Sequence, residues 1–337
     1  MTEINTVLVT GATGFLGAHI LAALRDRGIT TIAACRSPEK LPDWFDGAVR
    51  QGDLTDPGYR KSLVEGVDAI CHAGTWGAFW GHEDEERRLF LEPTMDLIDL
   101  AAEAGVGRFL LASTLVVGQL PGKGGEVDDF SPMRKTGFWP HLDMLIDIDH
   151  HMRALASPVS GMVNMRLGHF IGPGNRVGFV PAVIPRLKTR LVPWLGNGKA
   201  RMALVTGEDM GQAFALAATT PGLAPYESFN IHSGALPSLR EVFSHIAAVA
   251  GVPKPLYAVP YWAGYLFGAL METLPTRTPF LTRSLVHVSE DWNTPIEHAR
   301  SALGYRPSGD WRQAITRAVE ERRKTGFAWP ALTQALA

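Results

Sequence analysis

Eleven residues near the amino terminus, Val7–Gly17 (VLVTGATGFLG), constrain the fold more than any other stretch of this chain. A β-branched run, Thr6–Val9, is followed at once by Gly11, Gly14 and Gly17, and then by a helical pattern to about Arg27. The order is strand, tight turn, helix. Gly11 permits the turn, Gly14 lets a backbone approach a pyrophosphate, and Gly17 lets the helix pack closely on the strand. The helix N-terminus then aims its free N–H groups at phosphate oxygens. Ala12, Thr13, Phe15 and Leu16 belong to the same turn and are predicted to line the nucleotide. A glycine turn without a ligand is the alternative, and the placement directly behind a β-branched strand speaks against it.

The rest of the first half repeats the rhythm. Apolar runs at Thr30–Cys35, Val49–Gly52, Val67–His72, Arg108–Ser113 and Gly161–Arg166 alternate with helical patterns, the longest of them Glu83–Ala104, bent at Pro93, and His141–Ala156. The runs are continuously apolar, which predicts a parallel sheet covered on both faces. Beyond Arg166 proline and glycine cluster. Short strands are predicted at Leu191–Leu195, Met202–Thr206 and Ser228–His232, with helices at Glu208–Ala218, Ser238–Ala250 and Asp310–Lys324. The expected class is α/β: a Rossmann-type doubly wound parallel sheet over residues 1–166, with a smaller substrate-binding lobe over 167–337, the two being open to interleaving.

Composition removes several alternatives. Thirty-two basic and 34 acidic residues leave a net charge of −2, which carries no electrostatic footprint for nucleic acid. Two cysteines, Cys35 and Cys71, are too few for a disulfide framework and fit a reducing cytoplasm. Pro255–Met271 is apolar and free of charge over 17 residues. It is shorter than the roughly 20 residues of a spanning helix and is interrupted by proline. A core helix or pocket wall is expected there, with peripheral membrane contact as the lesser alternative.

The motifs together resemble the extended short-chain dehydrogenase/reductase superfamily, also called the NAD-dependent epimerase/dehydratase family. Thr10–Gly17 is similar to its TGxxGxxG turn. Gly52–Asp56 resembles its G-D-L-x-D element, which implies that Asp53 and Leu54 hold the adenine. His72-Ala73-Gly74 looks like the H-x-A-x element beside the cofactor, which implicates Ala73 and Gly74. Arg166–Gly174 (RLGHFIGPG) resembles RPxxVYGPG, placing Leu167 and His169 next to the cofactor. Gly196–Gly198, Val205–Met210 and Leu303–Pro307 are similar to the family's later motifs.

Acceptance of a ribose 2′-hydroxyl needs an acid at the end of the second strand, and that strand ends in Ala34-Cys35-Arg36. An arginine suits a 2′-phosphate, so NADP is favoured over NAD, with Arg36 as its partner.

The catalytic part departs from the pattern. The family's proton transfer uses a Tyr-x-x-x-Lys pair, yet no tyrosine lies between Tyr59 and Tyr226. Aligning Asp149 with the acid after that pair puts His141 at the tyrosine position and Leu145 at the lysine, while Phe90 replaces a frequent asparagine. Ser113–Gly118 (STLVVG) resembles S-x-x-V-Y-G, so Ser113, or Thr114 in a shifted register, is expected to orient the substrate. His141 is the candidate acid–base, working near an imidazole's ordinary pKa; a helix-start histidine with no role is the alternative, and His169 is a second candidate.

Asp143, Asp147 and His151 recur at helical spacing with His150 alongside. A solvated or subunit-facing stripe is favoured over a metal site, and no metal is expected. The resemblance implies a homodimer through the helices of Glu83–Ala104 and His141–Ala156. Three functions stay open: an NAD(P)-dependent reductase or dehydrogenase, a non-redox lyase or isomerase, and a non-catalytic nucleotide-sensing or partner-binding protein. The aromatics Trp194, Tyr257, Tyr261, Trp262, Phe267 and Phe280 favour an apolar or ring-bearing small molecule over a nucleotide sugar, for whose pyrophosphate only Arg201 and Arg283 are candidates.

Overall fold

The computed structural model describes residues 4–120, 125–176, 178–274 and 279–325; the ends of the two ranges above, 1–3 and 326–337, lie outside them. The chain opens with β1 (Thr6–Thr10), α1 (Phe15–Arg25), β2 (Thr30–Cys35), β3 (Ala48–Gln51), α2 (Pro57–Leu63) and β4 (Ala69–His72). It continues through α3 (Glu83–Glu86), α4 (Glu92–Glu103), β5 (Arg108–Thr114), α5 (Pro140–Leu155) and β6 (Gly161–Leu167). The later elements are β7 (His169–Ile171), α6 (Phe179–Lys188), β8 (Trp194–Leu195), β9 (Leu204–Thr206), α7 (Gly207–Thr219) and β10 (Tyr226–Ile231). They are followed by α8 (Leu239–Ala250), β11 (Ala258–Val259), α9 (Tyr261–Thr273), α10 (Arg283–His287), α11 (Glu297–Leu303) and α12 (Trp311–Thr325).

Seven strands form one parallel sheet in the order β10-β6-β5-β4-β1-β2-β3. The order reverses direction at β1 and β4, so their carboxyl ends open the crevice where such sheets bind ligands. Successive β1 side chains sort to opposite faces. Val7 and Val9 enter a core shared with α1 and α7, and Leu8 enters one shared with α4 and α5. Both faces are covered, so each of these strand residues is fully buried. A third core, built from α6, α8 and α12, carries the smaller lobe.

The second half of the chain does not stay in its own lobe. β10 pairs with β6 in the main sheet and α7 packs on α1, so the two halves interleave. The long helix is not a single rod bent at Pro93. Arg87–Leu91 forms a widened, π-type turn between α3 and α4, just ahead of the proline. Pro93 has no N–H for the carbonyl one turn back and its ring crowds that carbonyl, and the wider turn absorbs both. His169 stands in a strand paired with β9 and not in a loop. Pro255–Met271 is not a core helix: of α9's residues only Gly264 and Gly268 are buried, and one face of the helix lines a cavity. Among the described residues no helix is long and apolar enough to cross a membrane.

Candidate active site

The turn after β1 is shaped by backbone contact. Gly11 has φ +62°, and a Cβ there would stand 2.6 Å from the Ala73 carbonyl oxygen. A Cβ on Gly17 would stand 2.2 Å from the Gly11 carbonyl oxygen, so α1 lies directly against the turn. Gly14 differs. A Cβ there would meet only the Gly11 oxygen, at 3.2 Å, so protein packing alone does not demand glycine at that point. Gly14 is also the N-cap of α1, with no side chain capping the first turn. Open N–H groups and a bare Cα facing the crevice suit a pyrophosphate, and a dinucleotide fits this cradle.

Polar residues at the strand ends fix the floor. Thr10 Oγ1 accepts from Gly74 N–H at 3.0 Å and bonds His72 Nδ1 at 2.9 Å, and His72 Nε2 bonds Thr94 Oγ1 at 3.1 Å. Burial pushes the His72 imidazole down to about 4, so it is a neutral strut holding the Ala73-Gly74 backbone against Gly11. Asp53 accepts from Thr55 N–H (2.9 Å) and hydroxyl (2.8 Å), which hold its carboxyl below the usual range, with Arg36 3.8 Å away adding to this. The Arg36 side chain is 79 % exposed and lines the adenosine end of the cleft.

The cleft extends past this cradle as one cavity of about 1720 Å³. Gly11, Thr13, Phe15, Leu16, Leu54, Leu167 and His169 line it, as do Ser113, Thr114, His141 and Leu145; Ala12 is buried in the core beneath the turn. His141 and the two hydroxyls therefore share a cavity, but no hydrogen bond joins them. Ser113 Oγ is buried without a partner, and Thr114 Oγ1 accepts locally from Val116 N–H at 3.5 Å. His141 Nδ1 is buried without a hydrogen-bond partner, and Glu86 Oε1 stands 3.8 Å from it, beyond hydrogen-bond reach. Phe90 packs on the imidazole at 5.0 Å between ring centroids, and Gly77 gives the ring room from the other side.

This environment corrects the expectation that His141 titrates near an ordinary imidazole. Burial pushes it down to about 4. Glu86 is fully buried, accepts from Ala78 N–H, and leaves Oε2 unpartnered. Burial raises its carboxyl to about 8, and Glu83 adds to the rise. Burial thus favours the neutral form of both groups. Glu86 was hidden in the acidic run Glu83–Glu86, which reads as an exposed helix start; only its helical offset from the long helix's apolar face could have marked it. His169 is likewise lowered to about 4 by burial.

Other candidates are used structurally. Asp149 is buried, and its carboxylate is taken up by Asn164, Tyr226 and Arg153. Asp143 caps the backbone at Thr136 and Gly137, Asp147 pairs with Lys135, and His151 bonds Asp99 at 2.7 Å. Among the described residues no cluster could hold a metal ion. Arg201 pairs with Asp291 and Arg283 with Glu272, so neither is free for a pyrophosphate.

The sequence profile of the NAD-dependent epimerase/dehydratase family matches residues 7–231, two-thirds of the chain. The chain belongs to that family. It is 27 % identical over 328 residues to a 2-alkyl-3-oxoalkanoate reductase of Stenotrophomonas maltophilia, covering 92 % of this chain and 97 % of that one. It is 26 % identical over 353 residues to a 3β-hydroxysteroid dehydrogenase/Δ5→4-isomerase of Mycobacterium tuberculosis, covering 94 % and 90 %. The fold is shared with MoeE5 in its complex with UDP-glucuronic acid and NAD, with TM-score 0.72, 22 % identity, and 95 % and 100 % of the two chains covered. A nicotinamide dinucleotide is the cofactor class these findings support.

The glycine turn, Asp53 and His141 thus line one cavity. The glycine geometry separates two functions of the turn. Gly17→Ala forces a Cβ into backbone and is expected to destabilise the fold by about 3 kcal/mol or more, a loss typical of severe backbone conflict. Gly14→Ala should leave the unfolding midpoint nearly unchanged while weakening dinucleotide binding at least tenfold. Urea unfolding beside cofactor titration checks both; equal destabilisation by the two changes would refute the distinction.

Proposed function

We propose that this protein is an NAD(P)-dependent oxidoreductase that interconverts a carbonyl and an alcohol on a small apolar or aromatic substrate. The carrying observation is that the Gly11–Gly17 cradle and His141 open on the same cavity, whose far wall is apolar: Leu191, Val192, Leu195, Phe267, Met271 and Phe280. The names of the relatives, a 3-oxoacid reductase and a hydroxysteroid dehydrogenase, point the same way. Bound in the cradle, the nicotinamide supplies or accepts the hydride. Ala73, Gly74, Asp53 and Leu54 hold the adenosine and ribose side, and Leu167 and His169 flank the nicotinamide end.

Proton transfer falls to His141, with Glu86 behind it. Nδ1 faces Glu86, which leaves Nε2 as the ring nitrogen available to a substrate oxygen. When Nε2 gives up its proton in the reductive direction, Nδ1 takes one from the Glu86 carboxylic acid. Ser113 offers its unpartnered hydroxyl to the same oxygen, and Thr114 holds the turn beside it. A lysine is not needed, because burial and not a neighbouring cation sets where the proton sits. The missing Tyr-x-x-x-Lys favours a second reading, a non-redox lyase or isomerase, or a nucleotide sensor. Single-turnover assays that detect no change in nicotinamide absorbance with any carbonyl would select it.

The sign of the pH dependence follows from the raised Glu86 carboxyl. Below its folded pKa of about 8 the pair holds a transferable proton, and above it the proton is gone. Reduction should therefore be level through neutrality and fall as pH rises through about 8, while oxidation rises there. His141→Ala should cost about 10²–10⁴-fold. Glu86→Gln should remove the alkaline limb, and Leu145→Ala should keep most activity. Full turnover in His141→Ala would end this assignment.

NADP is proposed over NAD because Arg36 is the exposed cation at the ribose end, with Ser37 and Lys40 lining the same cleft. Arg36→Ala should erase a preference for NADP(H) measured by titration of both cofactors; equal affinities in the unmodified protein would refute it.

A homodimer through the outer faces of α4 and α5 and a cytoplasmic setting, where the buried free thiols Cys35 and Cys71 stay reduced, complete the proposal. Light scattering should give twice the 36.6 kDa chain mass, and a monomer mass would exclude the dimer.

A further inference from the structure

One helix stands apart from the packing logic of the rest. Trp262, Leu266 and Leu270 recur every four residues along α9 and are 67, 64 and 59 % exposed. Spacing of four puts them on one face of the helix, and nothing among the described residues covers that face. Leu256 at 76 % and Leu191 at 61 % extend the apolar surface beside it. Tyr257 ties the two flanking segments together, its hydroxyl donating to the Leu191 carbonyl at 2.7 Å. Singly scattered exposed leucines need no explanation, but three large apolar side chains on one helix face with nothing described against it are the pattern of an interaction surface.

The patch also borders the cavity. Leu191 and Tyr257 are exposed and line the cleft, so they stand at its mouth. Phe267 and Met271, on the other side of α9, line the cleft as well. The helix is thus a wall one residue layer thick, apolar inward and apolar outward.

Charge decides among the possible occupants. The chain has 34 acidic residues, yet none lies between Asp149 and Glu208 or between Glu241 and Glu272, the stretches that carry Leu191, Leu256 and most of α9; the nearest acids from elsewhere are engaged, Glu272 with Arg283, Glu290 with Tyr265 and Glu321 with the Gly174 N–H. Arg190 and Lys254 flank Leu191 and Leu256, both are exposed, and neither has a carboxylate partner among the described residues. A contact with a second copy through this face would cover Arg190 and Lys254 with no acid in the two stretches to pair with them, whereas anionic headgroups supply the partner. An apolar stripe flanked by unpaired cations is the pattern of a helix lying in a lipid interface over anionic headgroups. At 13 residues α9 is far too short to span.

We propose that the outward face of α9, with Leu191, Leu256, Arg190 and Lys254, docks the protein on an anionic lipid bilayer and turns the cavity mouth toward the membrane. A lipophilic substrate would then pass from the bilayer into the cleft beside Phe267 without crossing water. The proposal does not depend on the chemistry assigned to His141.

Flotation of the full chain with phosphatidylcholine vesicles, with and without phosphatidylglycerol, tests it. Binding should be confined to the vesicles containing phosphatidylglycerol and should decline with added salt. The double change Arg190→Ala and Lys254→Ala should weaken it roughly thirtyfold, each cation near the surface contributing about a factor of five. Leu266→Glu should abolish it, with an unaltered thermal midpoint showing that the fold is intact. The proposal is overturned if the chain ignores both vesicle types, or binds them equally. It is also overturned if Leu266→Glu floats like the unmodified protein, or if its only effect is to change the solution mass, which would assign the face to a second copy. Flotation seen only after removal of residues 326–337 would assign the face to that segment instead and overturn the proposal as well.

Discussion

Backbone lying on backbone at the Gly11 turn is the constraint on which the remaining structure depends. β1 and β4 end side by side, α1 starts within van der Waals reach of the turn, and the Ala73 carbonyl fills the place of a Gly11 side chain. No side chain mediates these contacts, so no repacking can relieve a conflict there. The Thr10–His72–Thr94 chain of hydrogen bonds locks the same junction from below. A crevice with open N–H groups therefore persists whatever the rest of the cavity does, and both lobes are arranged around it.

Behind that rigid edge, burial does the electrostatic work that charged neighbours do elsewhere. His72, His141 and His169 are all driven toward neutrality because a charged imidazole loses its hydration in an apolar wall. Glu86 is driven the other way for the same reason and keeps its proton. A lysine at position 145 would upset this balance, since a cation there would favour an ionised Glu86. Phe90 packs on the His141 ring, and Leu145 lines the same cavity, so the wall around this pair is apolar.

The central sheet was legible because its signals are local. Continuous apolar runs require cover on both faces, and glycine spacing requires a particular strand–turn–helix geometry, so β1, α1 and the position of the crevice follow from short stretches of sequence. Arg36, Asp53, His141 and Ser113 were likewise placed in the cleft by register against those runs. Glu86 was not, because its neighbours in sequence are exposed acids, while the groups that meet its carboxyl, Ala78 and His141, come from outside its own helix. For Pro255–Met271 the sequence left a core helix, a pocket wall and peripheral membrane contact open, and only the fold shows which faces of α9 line the cleft and which have nothing described against them.

The sequence by itself determined the α/β class, the strand–glycine turn–helix at Val7–Gly17, and the lack of any tyrosine between Tyr59 and Tyr226, since each is written in residue type and short spacing. Tertiary structure alone decided that β10 returns to the main sheet, that Glu86 and not Ser113 or Thr114 stands beside His141, and that burial pushes the His141 imidazole down and the Glu86 carboxyl up. Those outcomes depend on which distant segments exclude water from a given atom. Desolvation is a property of the assembled surroundings, and no local pattern in the chain encodes it.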